Sequence, residues 1–160
     1  NAPGMTIGVT GLRPTSQGSI HIQSGDPMQG PAIRPNFLDT PEDRQTIVDA
    51  MKLARRIVSR PAIAHYIDHE MSPGDRVQSD DEWLQFAREN GQTIYHPIGT
   101  CRMGSDPDAV VDVRLRFKGL DGLRIVDASV MPAMVSGNTQ AAVMMVAERG
   151  ADLIREDARG

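Results

Sequence analysis

The sequence predicts a chain of the α/β class whose N-terminal part is α+β, with an antiparallel sheet. Three observations support this prediction. Ser19–Gln23 alternates polar and apolar residues, which is typical of a half-buried strand. Residues 41–59 and 138–157 instead carry apolar side chains at helical spacing. Short apolar runs between residues 93 and 126 favour further strands.

A hairpin is predicted near the N-terminus of the chain. Turn residues flank the alternating stretch, with Pro14 and Gly18 before it and Gly25–Pro27 after it. Proline fixes φ and glycine accepts a positive φ, so both residues favour turns. A second strand is predicted near Ile7–Leu12, and we expect it to pair with Ser19–Gln23.

The first long helix is predicted over residues 41–59. Thr40 is a suitable N-cap, and Pro41 fits the first helical position because a helix leaves that N–H unbonded. Pro61 marks the end of the pattern, since proline cannot continue a helix.

Two further helices are predicted. One runs from Asp80 to Asn90, with Ser79 as its cap and Gly91 as its stop. The other covers residues 138–157 and has Asn138 as its cap. The first half of this last helix is apolar on nearly every face, which favours burial on all sides. Aromatic residues make up only 4% of the chain, so the chain supplies few large apolar side chains to surround this helix. We therefore expect the helix to pack against polypeptide outside this sequence.

The stretch between these helices combines short strands with a glycine-rich loop. The predicted strands are Thr93–Tyr95, Val110–Asp112, Arg114–Phe117 and Leu123–Val126, the last being the firmest. The loop is His96–Gly104.

Composition excludes several classes of protein. The 160 residues include 17 Lys and Arg and 21 Asp and Glu, which gives a formal charge of −4 without a basic stripe, so we expect no nucleic-acid partner. A single cysteine, Cys101, excludes an internal disulfide. No apolar run approaches the ~18 residues of a membrane helix.

His65 and His69 are four residues apart, a spacing that could place two metal ligands on one helix face. The pattern lacks a glutamate directly after His65 and an evident third ligand, so no metal site is predicted.

His96 is the first candidate for chemistry. It follows a predicted strand and precedes Pro97, which restricts its backbone to extended conformations. The unperturbed pKa of histidine is near neutral, so a histidine here suits acid–base catalysis. The alternative is a histidine that only hydrogen-bonds within its loop.

Cys101 can be interpreted as a nucleophile, although a small core residue is the favoured interpretation.

The second group of candidates lies near the last helix. Asn138 is either only a helix cap or a helix cap that also serves as an active-site residue. The backbone amides of Asn138–Gln140 favour the binding of an anion at the helix N-terminus. Asp127 follows the firmest strand. In open α/β sheets ligands bind beyond such strand ends, so Asp127 either contacts a ligand or caps a turn.

Several ordered motifs together resemble the C-terminal part of the glucose–methanol–choline (GMC) oxidoreductases. They are Tyr95–Gly104, Val110–Asp112, Gly119–Pro132 and Gly137–Ala141, with Leu12–Pro14, Gly18, Asp26–Pro27 and Asn36–Leu38 upstream. The resemblance covers about residues 11–157 and is strongest to bacterial choline-dehydrogenase-like enzymes and related alcohol dehydrogenases.

The resemblance implies an FAD enzyme that oxidises a small primary alcohol to an aldehyde. His96 matches the family's catalytic histidine, which takes the hydroxyl proton while a hydride moves to flavin N5, and Asn138 matches its second active-site position. Asp127 and Ala128 match the family's flavin contacts. The helix start, with Thr139 and Gln140, would lie near the pyrimidine side of the flavin.

The resemblance also implies a division of the chain. Residues 1–92 would belong to the substrate-binding domain, and residues 93–160 would be the C-terminal portion of the FAD-binding domain with the catalytic loop. The family's G-x-G-x-x-G fingerprint does not occur here, so we expect a C-terminal fragment, or one chain of a nicked or split enzyme, whose partner is the N-terminal FAD-binding part.

We expect a cytoplasmic location, either free or peripheral to a membrane. Two alternatives stay open at this stage: a non-catalytic packing or interaction module, and a hydroxynitrile lyase, since the GMC family includes such lyases.

Overall fold

Two short strands form an antiparallel pair in the computed structural model, which describes residues 4–159. Strand β1 is Ser19–His21 and β2 is Ala32–Arg34, with Ile20 opposite Ile33. Ser19–His21 does form an antiparallel pair, as predicted, but with β2. The predicted partner, Ile7–Leu12, is irregular. Gly8 and Gly11 weaken that stretch as a strand. The predicted half-burial of β1 is also wrong within the described chain, where Ile20 is 41% exposed.

Two helices of the N-terminal half begin and end close to the predicted residues: α1 is Pro41–Val58 and α3 is Asp80–Asn90. Between them lies a short helix that was not predicted, α2, Pro61–Ala64. The Thr40 hydroxyl accepts from the Asp43 N–H at the start of α1. At α3, Ser79 and Glu82 form a reciprocal capping box.

The described chain divides into two compact units. The first comprises residues 4–18 and 35–92, and the second comprises residues 19–34 and 93–159. The assignment of residues 1–92 to a substrate-binding domain and of 93–160 to a cofactor-binding domain stays a prediction.

Arg55 holds the first unit together. Its guanidinium donates to both carboxylate oxygens of Glu70, at 2.8 and 3.3 Å, and to the carbonyls of Val77 and Gly74. It also lies 4.1 Å from the ring centroid of Trp83 on α3, a cation–π distance. One side chain of α1 therefore fixes both the 65–79 loop and α3. In the sequence, Arg55 is near the end of a predicted helix, where a basic residue complements the helix dipole, and no local pattern indicates these contacts.

The second unit has its own apolar core. Its buried members are Val111, Leu115, Val130, Met131, Val146 and Leu153. Several predicted strands are reduced to isolated bridges, which join Val111 to Met103 and to Phe117, and Arg116 to Arg124. Thr93–Tyr95 is not a strand, because Tyr95 adopts φ +60°.

Helix α4 is Gln140–Asp157, two residues shorter at its start than predicted. Val146, Gly150 and Leu153 face the core, whereas Met144 and Met145 are 60% and 61% exposed. Burial on all sides is therefore wrong within the described residues. That the exposed face packs against polypeptide outside this sequence stays a prediction.

Gly150 sets how closely α4 approaches the rest of the second unit. A Cβ at this position would lie 2.4 Å from Val126 Cγ1 and 3.5 Å from Leu115 Cδ1. The first distance is too short for a real contact, so only glycine permits this packing without movement.

Gly150→Ala should therefore destabilise the complete protein. Overpacking costs about 1–3 kcal/mol, and the better helix propensity of alanine returns about 1 kcal/mol. We expect a lower melting temperature by calorimetry. Gly25→Ala, at a position with no atom within 4 Å, should leave the melting temperature nearly unchanged. Equal melting temperatures for the two variants would contradict this account of the packing.

Asp43 joins the start of α1 to the preceding loop. Its carboxylate accepts hydrogen bonds from the Thr15 N–H at 2.9 Å and the Ser16 N–H at 2.8 Å. Burial by itself would raise the pKa of Asp43, but the hydrogen bonds from Ser16 and Thr15 outweigh it and lower the pKa to about 2.

Asp43→Asn should cost about 1–2 kcal/mol of unfolding free energy at neutral pH, because one acceptor becomes an amide donor. The pKa is depressed in the folded chain, so the stabilisation is present above the ordinary pKa of 3.8 and is lost as the pH falls towards 2. Urea titrations of the complete protein at pH 7 and pH 3 should show the difference between wild type and variant shrinking. Asp49→Asn, on the exposed side of α1, is the control. A difference independent of pH would exclude this role.

Candidate active site

The loop His96–Gly104 is held against the segment that follows Val126. The Cys101 N–H donates to the Ser129 carbonyl at 3.0 Å, and the Met103 N–H donates to the Val130 carbonyl at 2.8 Å. Gly99 adopts φ +82°, a conformation that favours glycine. The path of the loop therefore depends on backbone bonds and one glycine.

The far end of this loop is fixed by an ion pair. Arg102 donates two hydrogen bonds to Asp106, at 2.8 and 2.6 Å. These bonds hold the pKa of the Asp106 carboxyl well below its usual range. The Gly104 N–H also donates to the Val111 carbonyl, which ties the loop to the core.

His96 lies next to the start of α4. Its Nδ1 is 3.2 Å from Thr139 Oγ1, a hydrogen-bond distance, and the imidazole is half-buried. Thr139 is 7% exposed, and among residues 4–159 it is the one buried polar side chain. The structure thus brings together His96 and the helix start. This side-chain pair was missed from the sequence, where the partners are 43 residues apart.

The predicted cap of α4 is corrected by one residue. Thr139, not Asn138, is the N-cap, and its side chain makes no capping hydrogen bond. Asn138 and Gln140 are exposed. The Val143 N–H donates to the Thr139 carbonyl, so the amides before Val143 belong to the unbonded first turn.

Asp127 performs a local role in this structure. Its Oδ1 accepts from the Ser129 N–H at 2.7 Å and from the Ser129 hydroxyl at 2.5 Å. These bonds cap a short 3₁₀ helix, Ala128–Val130. Leu123–Val126, the predicted firm strand, is reduced to the single bridge at Arg124. Asp127 is exposed and Ala128 is partly buried against the core. The flavin contacts assigned to both residues stay predictions.

The remaining candidates take no part in the contact between His96 and Thr139. His65 Nδ1 is 3.0 Å from the Pro61 carbonyl, and His69 pairs with Asp68 at 2.8 Å. Cys101 is a partly buried free thiol. Within the described chain, no three or more His, Cys, Asp or Glu side chains gather as a metal site would require. No helix among residues 4–159 has the length and apolar character to cross a membrane.

Comparisons with known proteins agree with the motifs. A family model described as GMC oxidoreductase matches residues 14–147. An alcohol dehydrogenase (acceptor) from Pseudomonas putida is 46% identical over 151 residues, 94% of this chain and 27% of that protein. An oxygen-dependent choline dehydrogenase from Cronobacter sakazakii is 44% identical over 154 residues, 96% of this chain and 28% of that protein. The crystal structure of pyridoxine 4-oxidase from Mesorbium loti superimposes with a TM-score of 0.85 at 40% identity, over 91% of this chain and 28% of that one.

These matches confirm the resemblance to the GMC oxidoreductases and to their choline and alcohol dehydrogenases. They also confirm that the mixed helices and the small antiparallel sheet are part of that fold. The chain spans little more than a quarter of the length of the curated relatives it matches.

Gly104→Ala should loosen the loop. A Cβ there would lie 2.6 Å from Asp106 Oδ2 and 3.2 Å from Arg102 Nη1, inside the ion pair. We expect a local cost of about 1–3 kcal/mol, seen as faster hydrogen exchange at the Cys101 and Met103 amides in the complete protein. Gly30→Ala, in open space, serves as the control. Unchanged exchange in Gly104→Ala would show that the ion pair does not hold this loop.

Proposed function

The chain belongs to the GMC oxidoreductase family, and we propose that the complete protein is an FAD-dependent enzyme that oxidises a primary alcohol to an aldehyde. The observation that carries the proposal is the contact between His96 and Thr139. It brings His96, the proposed catalytic histidine, next to the helix start that carries Asn138, the proposed second active-site residue. The alcohol and choline dehydrogenases among the relatives support an alcohol as the substrate.

His96 is the proton acceptor in this proposal. Its Nδ1 faces Thr139, so Nε2 is the nitrogen left to meet the substrate hydroxyl. A base at this position takes the hydroxyl proton as the alcohol carbon loses its hydride. Exact placement of the imidazole matters, because proton transfer requires hydrogen-bond distance. The backbone bonds of the His96–Gly104 loop to Ser129 and Val130 supply that placement.

Asn138 holds the substrate oxygen. Its side chain is exposed next to the N-cap of α4, and its amide is a hydrogen-bond donor. A donor at this point stabilises the alkoxide-like charge that develops on the oxygen as the proton leaves.

The residues at the start of α4 fit a flavin. The first-turn amides, including that of Gln140, receive no capping bond from the Thr139 side chain, and the helix dipole favours an electron-rich acceptor there. GMC oxidoreductases use FAD, which when bound supplies the hydride acceptor. We assign the pyrimidine side of the ring to Asn138–Gln140. Asp127 and Ala128 complete the proposed set of flavin contacts. The Asp127 carboxylate is exposed, and its two bonds from Ser129 hold it in one orientation.

Most of the FAD site lies outside this chain in the proposal. The G-x-G-x-x-G fingerprint is absent from the sequence, and the relatives are more than three times as long. The partner of this chain is therefore the N-terminal FAD-binding part of the same enzyme.

His96→Ala should slow anaerobic flavin reduction by alcohol in the complete enzyme. General-base catalysis contributes about 10²–10⁴-fold, and the loss should be of that size. Stopped-flow bleaching of the flavin absorbance measures it, and the flavin content of the variant should match the wild type. His69→Ala replaces an exposed histidine outside the site and should behave as wild type. An unchanged bleaching rate in His96→Ala would refute the assignment.

A further inference from the structure

Thr139 differs from the N-caps of α1 and α3. Thr40 and Ser79 have extended backbones, with ψ of 149° and 159°, and their side chains accept from a helix N–H. Thr139 has a helical backbone, with ψ −13°, and makes no such bond. A capping hydroxyl stabilises the start of a helix, and α4 lacks that hydrogen bond.

The Thr139 hydroxyl bonds to His96 instead. Oγ1 lies 3.2 Å from His96 Nδ1, and Thr139 is only 7% exposed. A buried hydroxyl needs a partner inside the protein, because water does not reach it. The helix start therefore directs this hydroxyl towards the imidazole.

The chemistry of the pair depends on the histidine tautomer. A neutral imidazole has one N–H, and a proton on Nδ1 leaves the Nε2 lone pair free to act as a base. Thr139 Oγ1 can accept from that Nδ1–H. When Nε2 takes up a proton, the same bond becomes charge-assisted and stronger.

We propose that Thr139 is a positioning residue that accepts a hydrogen bond from His96 Nδ1–H and so keeps Nε2 as the proton acceptor. The proposal rests on the function given above. Thr139 contacts neither the alcohol nor its proton; it acts through the orientation and tautomer of the imidazole.

The first experiment compares Thr139→Val with Thr139→Ser in the complete, flavin-loaded enzyme. Valine keeps the shape and removes the hydroxyl, while serine keeps the hydroxyl. For valine we expect a limiting rate of flavin reduction about 10-fold lower and an apparent alcohol dissociation constant within about twofold of wild type, since positioning affects the proton step. Serine should restore the rate. Thr46→Val, an exposed threonine on α1, should change neither quantity.

The outcomes separate this proposal from the proposed function. If Thr139→Val reduces flavin at the wild-type rate while His96→Ala is slow, the positioning role is refuted and the function stands. If His96→Ala is also as fast as wild type, the function itself fails. A serine variant as slow as valine would assign the effect to methyl packing and overturn the proposal.

A second measurement uses the wild type and does not require the valine variant to fold. Ring ¹⁵N labelling of histidine, with the His96 signals identified by their loss in His96→Ala, shows which nitrogen carries the proton. We expect the proton on Nδ1 in wild type and in Thr139→Ser. A proton on Nε2 in the wild type would overturn the proposal.

Discussion

The bonds between the His96–Gly104 loop and residues Ser129 and Val130 are the constraint on which the second unit depends. They run from backbone N–H to backbone carbonyl, so they fix the path of the loop independently of its side chains. Val130 is fully buried beneath them. The same residue therefore completes the apolar core with its side chain and holds the candidate catalytic loop with its carbonyl. Disruption of the core there would also displace the loop.

Helix α4 extends this constraint over a distance. Thr139 at its start contacts His96, and Gly150 lies against Val126. The two positions are separated by eleven residues, or about 16 Å along a helix axis at about 1.5 Å per residue. A rigid helix transmits a displacement from one end to the other. A side chain at Gly150 thus acts on stability where it packs, and on the geometry of His96 through the helix.

The features that could be predicted from the sequence are those whose interacting residues are close together in it. The caps of α1 and α3 depend on neighbours, such as Thr40 with Asp43, and were predicted correctly. The pairing of β1 with β2 depends on residues beyond the nearest turn signals, and the wrong partner was chosen. The role of Arg55 requires Trp83, which is 28 residues away, so no local pattern reveals it. His96, Asn138 and Asp127 were proposed from motifs and stay predictions as site residues, whereas the Thr139–His96 contact required the fold.

The far end of α4 explains why the helix keeps its place despite an exposed apolar face. Asp157 is at the C-terminal end of the helix, where the dipole disfavours a carboxylate. Three arginines, Arg114, Arg116 and Arg124, surround it. The hydrogen bond from Arg116 is the largest of the effects that together lower the pKa of Asp157 to about 2.

Exposed ion pairs contribute little stability, but this cluster joins the C-terminal end of α4 to residues 114–124, from which all three arginines come. Those residues also contribute Leu115 to the core. The helix is thus held at Asp157, at Gly150 and at Thr139. A shift of its start relative to His96 would have to break contacts at the other two positions, so the unit can keep this pair together while Met144 and Met145 stay exposed.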